Sequence, residues 1–290
     1  MYKISALSVL FLMNCNSKST SEKPVADHLE TVISLPKLLD EVSGIALSPD
    51  KKSIYTIADQ GNPNVVYGLD FAGKIIGEKE IENVQNIDWE DITNDKDGFT
   101  YIGNFGNNEN DRKDLSILKI DMKKGGSSTP VLQETKFSYP EQTAFPPKKS
   151  ELLYDCEGFV VYKDSFYLFT KNRSKNFDGT FLVYKVPNKA GNFPAKLVGK
   201  LQLEGNFNDA AITSATINSV ENKIVLLSHK NIFVLENFNE NDFSKATIKT
   251  VSLNHNSQKE SIVFKDDKTL LIADEKDKSE GGNIYSFTLN

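Results

Sequence analysis

Carboxylates and amides recur along this chain at matching places in a repeated pattern. Five stretches open with one: Glu41-Val-Ser-Gly-Ile-Ala, Asp88-Trp-Glu-Asp-Ile-Thr, Asp155-Cys-Glu-Gly-Phe-Val, Asn208-Asp-Ala-Ala-Ile-Thr and Gln258-Lys-Glu-Ser-Ile-Val. Two residues into these stretches come Ser43, Glu90, Glu157, Ala210 and Glu260. A second polar set, Asp59, Asn104, Lys171, His229 and Asp274, ends an apolar run downstream of each opening. Hard oxygen donors in such numbers suit Ca2+, which takes about six to eight oxygens. The whole chain has three His and two Cys, so zinc would find few ligands. The same carboxylates could act as acid or base. They could also accept hydrogen bonds from backbone N–H groups of neighbouring segments and simply fasten the fold. His229, whose residue type titrates near neutrality, and Lys171 are the candidates for direct catalysis.

For these residues to act together, the chain must bring distant segments to one place. The repeat itself supplies the means. Each opening is followed by a run of β-branched and aromatic residues bounded by Gly, Asn or Asp, which is a strand signal. These runs are Ser53–Asp59, Phe99–Asn104, Ser165–Lys171, Lys223–His229 and Thr269–Asp274. Their near-continuous apolarity fits strands covered on both faces. Third strands follow at Asn64–Asp70, Asp114–Asp121, Thr180–Val186, Asn231–Glu236 and Asn283–Leu289, and weaker outer strands at Lys74–Ile81, Gln133–Ser138, Ala195–Leu203 and Thr247–Leu253. A strand-built repeat of about 50 residues means a propeller or array. The expected fold is an all-β, five-bladed β-propeller. The last repeat lacks an outer strand, and Leu29–Leu35 precedes the first repeat without a partner. That segment is expected to complete the last blade, which removes an open sheet edge. A six-bladed alternative would need a divergent unit in the gap from Lys123 to Leu152, which reads instead as an outer strand and a loop.

In such a blade the start of the first strand and the end of the second lie at the same end of the molecule. Glu41, Asp88, Asp155, Asn208 and Gln258 would therefore meet Asp59, Asn104, Lys171, His229 and Asp274 at one axial mouth. Long polar loops open there too. Eight carboxylates (Glu41, Asp59, Asp88, Glu90, Asp155, Glu157, Glu260 and Asp274) face only Lys171 and Lys259. So many acids in a narrow channel need a cation, protons or hydrogen bonds. Trp89 and Cys156 are expected to be buried packing residues.

The ends and the composition narrow the setting. Lys3 followed by an apolar run to Met13, then Asn14-Cys15, reads as a lipoprotein-type signal over residues 1–15, with Cys15 as the acylated residue. Residues 16–28 read as a flexible tether and 29–290 as a single propeller domain. The expected location is the cell envelope, lipid-anchored to a bacterial membrane; a periplasmic or secreted protein is the alternative. The apolar run is short of the ~20 residues a membrane-spanning helix needs. A formal net charge of −6 argues against nucleic acid, which calls for a basic patch. The expected partner is a small molecule or a protein at the mouth of a monomer.

The segments Asp88-Trp-Glu-Asp-Ile-Thr, Tyr101-Ile-Gly-Asn-Phe-Gly-Asn-Asn, Glu41-Val-Ser-Gly-Ile-Ala, Asp155-Cys-Glu-Gly-Phe and Lys259-Glu-Ser-Ile-Val-Phe resemble bacterial exported propellers of the phytase-like ("esterase-like activity of phytase") and SdiA-regulated families. The resemblance covers most of residues 30–290. It implies a central calcium held by Glu41, Asp88, Glu90, Asn104, Glu157 and Glu260, and in the enzyme relatives a calcium-dependent hydrolysis of phosphate esters, lactones or carboxylate esters. This chain departs in its fourth unit, where Ala210 stands at the acidic position, and in having five blades where the enzymes have six. Binding without chemistry and hydrolysis both stay open.

Overall fold

The computed structural model describes residues 29–289, and the signal and tether readings lie outside them. Five sheets, each antiparallel through its four main strands, form five blades of a β-propeller. Blade 1 runs outward through Val42–Leu47, Ile54–Ala58, Val65–Leu69 and Ile75–Glu82. Blade 2 uses Trp89–Asn94, Thr100–Asn104, Ser116–Ile120 and Gln133–Ser138; blade 3 uses Asp155–Tyr162, Ser165–Lys171, Thr180–Pro187 and Lys196–Gln202. Blade 4 uses Ser214–Ile217, Ile224–Leu227, Asn231–Glu236 and Thr247–Ser252. Blade 5 takes Lys259–Phe264, Thr269–Asp274 and Asn283–Thr288 from the end of the chain and its outer strand, Glu30–Ser34, from the beginning. The ring closes as expected, by an antiparallel pairing of Glu30 with Ser286 and Ser34 with Asn283. Among the described residues no helix is long and apolar enough to cross a membrane.

Two short strands were not legible. Ser128–Pro130 pairs in parallel with the outer strand of blade 1, and Gly191–Pro194 with that of blade 2. Both come from the following blade, so each straps its own blade to the edge of the one before.

The core lies between the blades. Five apolar clusters fill the five interfaces, such as Ile57, Trp89 and Ile102 between blades 1 and 2. The interface of blades 2 and 3 holds Tyr101, Phe105, Phe159, Phe166 and Tyr184. Burying one such side chain contributes about 1.5–3 kcal/mol, which is why the inner three strands are apolar on both faces. Trp89 and Cys156 are fully buried in these interfaces.

Four inner strands share a β-bulge at the same place. Pairing skips one residue between Val42 and Gly44, Trp89 and Asp91, Cys156 and Gly158, and Lys259 and Ser261. The residues left out are Ser43, Glu90, Glu157 and Glu260. A bulge leaves one residue unpaired and re-aims its side chain. Blade 4 has no bulge.

One residue beyond the bulge, the strands converge on a tight belt of Gly44, Asp91, Gly158, Ser214 and Ser261. Asp91 Oδ2 accepts from Phe159 N of blade 3 at 3.1 Å, and Oδ1 accepts from Ser214 Oγ of blade 4 at 3.3 Å. Ser214 Oγ accepts from Ile262 N at 3.3 Å, and Ser261 Oγ from Ile45 N at 2.7 Å. Gly158 has no room for more: a Cβ would lie 2.6 Å from Ala215 N. Because Asp91 bonds two blades, one of them across the axis, the belt plugs the channel. Below it the axis reopens into a cavity of about 1080 Å3, floored by Ala46, Leu47, Val161, Ile217 and Phe264.

Candidate metal centre at the axial mouth

Above the belt, the ends of the inner strands meet as the repeat implies: Asp155 pairs with Lys171, Trp89 with Asn104 and Lys259 with Asp274. The polar residues then divide into separate groups.

Blade 3 neutralises its own acids. Lys171 Nζ lies 3.0 Å from Glu157 Oε2, and Arg173 reaches Glu157 Oε1 and Asp155 Oδ2, both at 2.6 Å. Asn107 N adds a 2.7 Å bond to Asp155 Oδ1. Burial alone would raise Glu157, but Lys171 and Arg173 outweigh it and hold the carboxyl below its ordinary value. Burial and then the charge of Glu157 push Asp155 up to about 7, against the pull of Arg173.

Blades 1 and 2 do the opposite. Carboxylate oxygens of Asp59, at the end of its strand, and of Asp88 and Glu90 lie within 4.8 Å of one another. Among the described residues no Lys, Arg or His pairs with any of them. Asp88 is 5% exposed and its Oδ1 has no hydrogen-bond partner. Burial, then the hydrogen bond with Asp59, pushes Asp88 up to about 8. Burial, then the charges of Glu157 and Asp88, holds Glu90 well above its ordinary value, and burial raises Asp59. The backbone presses in from one side: a Cβ on Gly106 would collide with Glu90 Oε1 and Asp88 Oδ2. Arg112 fixes that loop by donating to Gly106 O at 2.6 Å. An orphaned buried carboxylate oxygen, two more carboxylates and a backbone cradle fit a hard divalent cation such as Ca2+.

The remaining expected residues are dispersed. Glu260 Oε1 sits 3.2 Å from His229 Nε2. Exposed Glu41 accepts from Asn62 Nδ2 at 2.7 Å. Asn104 Oδ1 accepts from Asp88 N at 3.3 Å, so this amide supports the triad's backbone. Three placements correct the sequence reading. Asp274 turns into its blade, accepting from Tyr285 Oη at 2.8 Å and Asn283 N at 2.9 Å. Asn208 and Ala210 do not open an inner strand. They lie on a short helix, Phe207–Ala210, stabilised by a reciprocal Asn206–Asp209 cap, and the strand starts later, at Ser214. Lys259 is no mouth cation: fully buried, its Nζ donates to His229 O at 3.0 Å and Ser257 Oγ at 2.9 Å.

Sequence reasoning missed Asp91, Gly106, Asn107 and Glu275. Burial and then the charge of Glu260 push Glu275 up to about 8. Glu275 sits just past Asp274, where attention to strand ends alone overlooks it. Asp91 follows the bulge, at the place where Gly44, Gly158 and Ser261 are small; that contrast was the available signal.

The fold and the mouth define a β-propeller, and comparison with solved structures agrees. No protein-family model matches the chain, and no curated protein matches its sequence. The PQQ-bound aldose sugar dehydrogenase of Streptomyces coelicolor is similar over 89% of this chain and 96% of that one, at 9% identity and a TM-score of 0.52. Hydrazine synthase of Kuenenia stuttgartiensis is similar over 85% and 83%, at 12% identity and a TM-score of 0.47. At 9% identity the likeness to the dehydrogenase concerns the fold alone.

Proposed function

We propose that this is an exported, lipid-anchored propeller that binds a divalent cation, Ca2+, at its axial mouth and through it a ligand or partner. The observation that carries the reading is the unpaired Asp59–Asp88–Glu90 triad with its orphaned Asp88 Oδ1. Asp59, Asp88 and Glu90 would hold the ion, with Glu275 and Glu260 adding negative charge nearby. The ion would neutralise this charge and offer open coordination positions to oxygens of the ligand. Without a cation the same carboxyls keep protons.

Hydrolysis of a phosphate ester asks for more, because free cationic side chains should surround the reacting group. Here Lys171 and Arg173 are engaged by Glu157 and Asp155, and Arg112 by backbone carbonyls. Binding is therefore the better-supported reading.

Ca2+ at a hundredfold excess over its Kd should stabilise the fold by about 2.7 kcal/mol, read as a rise in Tm that EDTA reverses. Glu90→Ala and Asp88→Asn should abolish the rise. A Tm indifferent to Ca2+ and chelator would remove the metal from this reading. A screen of phosphate and carboxylate esters with and without Ca2+ distinguishes a binder from a hydrolase.

A further inference from the structure

The cavity on the far side of the belt takes no part in the cation site. All five blades line it, through the ends of their first strands and the turns that follow. The belt closes it on one side, so it is a cup and not a channel. At about 1080 Å3 it is as large as small-molecule pockets, which run to about 300–1,000 Å3. Its floor is apolar: Ala46, Leu47, Val161, Ile217, Val263 and Phe264. The amides on its walls are already engaged. Asn94 donates to Leu47 O and accepts from Thr100 Oγ1 at 2.8 Å. Asn188 donates to Tyr101 Oη at 3.0 Å and accepts from Gln133 Nε2 at 2.8 Å. Asn218 accepts from Lys223 N and donates to Asn222 Oδ1, both at 2.9 Å.

What the cup has left to offer is negative charge at its rim. Asp97, Asp164 and Glu221 line it, and among the described residues their carboxylates have neither a cation nor a hydrogen-bond donor. Asp267 spends one oxygen on Ser219 Oγ at 2.6 Å, and Asp266 one on Lys268 N and Thr269 N, which leaves each a second oxygen. Of the four lining lysines, Lys119 is held by Asp95 and Lys163 by Glu240, so Lys51 and Lys96 alone oppose these acids. We infer that the cup is a second binding site, for a small organic cation with an apolar body, such as a hydrophobic amine. Its hydrocarbon would cover the floor and its ammonium group would meet the rim carboxylates. A body lying on the floor draws water away from that rim, and carboxylates so dried need a countercharge; an anionic amphiphile would be repelled. A neutral polar ligand such as a sugar would need wall donors and acceptors, which the fold has already used. The inference does not depend on a cation at the mouth, because the belt separates the two sites.

The test titrates the full chain, by calorimetry and below micelle formation, with three probes that share an eight-carbon body: octylammonium, octanol and octanoate. Several exposed ion pairs each add a little, so octylammonium should bind roughly tenfold tighter than octanol, and octanoate most weakly. Asp164→Asn combined with Glu221→Gln removes two rim charges that make no bond within the fold. That double variant should bring octylammonium close to octanol and leave octanol unchanged. Asp88→Asn at the mouth should leave octylammonium binding unchanged. Loss of binding in Asp88→Asn would place the amine at the mouth and overturn the cup as its site. Equal binding of the three probes, binding of none, or indifference to the rim substitutions would overturn the inference as well.

Discussion

Blade 3 and the first two blades deliver acids to the same mouth by the same device, yet leave them in opposite states. Glu157 and Glu90 are both bulge residues, and Asp155 and Asp88 both precede them by two. On blade 3 the following strand ends in Lys171 and runs on to Arg173, and these cations occupy three of the four carboxylate oxygens. On blade 2 the equivalent strand ends in Asn104 and runs on to Gly106, and no cation arrives. The comparison teaches that position in the repeat brings a carboxylate to the axis, whereas the residues just past the second strand decide whether it is structural or available.

The largest effect that could break this contrast is in the paired sector. Arg173→Met strands Asp155 and Glu157 in the interior, and loss of one partner of a buried ion pair costs about 3–5 kcal/mol. Urea unfolding measures it. A loss below about 1 kcal/mol, the range of an exposed pair, would show that blade 3 does not depend on internal pairing.

The unpaired sector should respond with the opposite sign. The folded state holds a proton on Asp88 between its ordinary 3.8 and about 8, while the unfolded chain has released it. Stability without a cation therefore falls as pH rises through that window. Asp88→Asn should flatten the fall and make the cation-free protein about 1–2 kcal/mol more stable at pH 9, after discounting for partial solvent screening. Saturating Ca2+ should flatten the wild-type profile in the same way. A profile unchanged by both would mean that Asp88 carries no unrelieved charge.

The smallest effect sharpens the boundary of the site. Glu41 is exposed and its recorded partner is Asn62. Glu41→Ala should change stability by less than about 0.5 kcal/mol and leave the Ca2+-induced rise in Tm intact. A lost rise would extend the site outward to blade 1's rim, as the family resemblance implies.

The propeller was legible because its second strands, such as Ser165–Lys171, are apolar on both faces, and because Leu29–Leu35 was a strand without a partner. The fourth repeat misled because Asn208-Asp-Ala-Ala-Ile-Thr mimics an opening. The competing local signal was the Asn206–Asp209 spacing of a capping box, after Gly205 at φ +133°. At the mouth, the two-residue spacing of Asp88 and Glu90 is legible in the repeat; the bulge that leaves Glu90 unpaired is not. Pairing was hidden, since Arg173 reaches Asp155 and Glu157 only after its loop folds back. The belt and the cavity beneath it depend on how five strands converge, which no single repeat encodes.

The closing strand also has a temporal consequence. Glu30–Ser34 is made early but finds its partner, Asn283–Thr288, only after every intervening blade exists. Until then blade 5 keeps an open edge and the belt that joins blades 5 and 1 through Ser261 and Ile45 is incomplete. Pairings so distant in sequence make folding slow, and an unpaired edge invites aggregation meanwhile. The newborn chain therefore spends its most vulnerable interval waiting for its own tail.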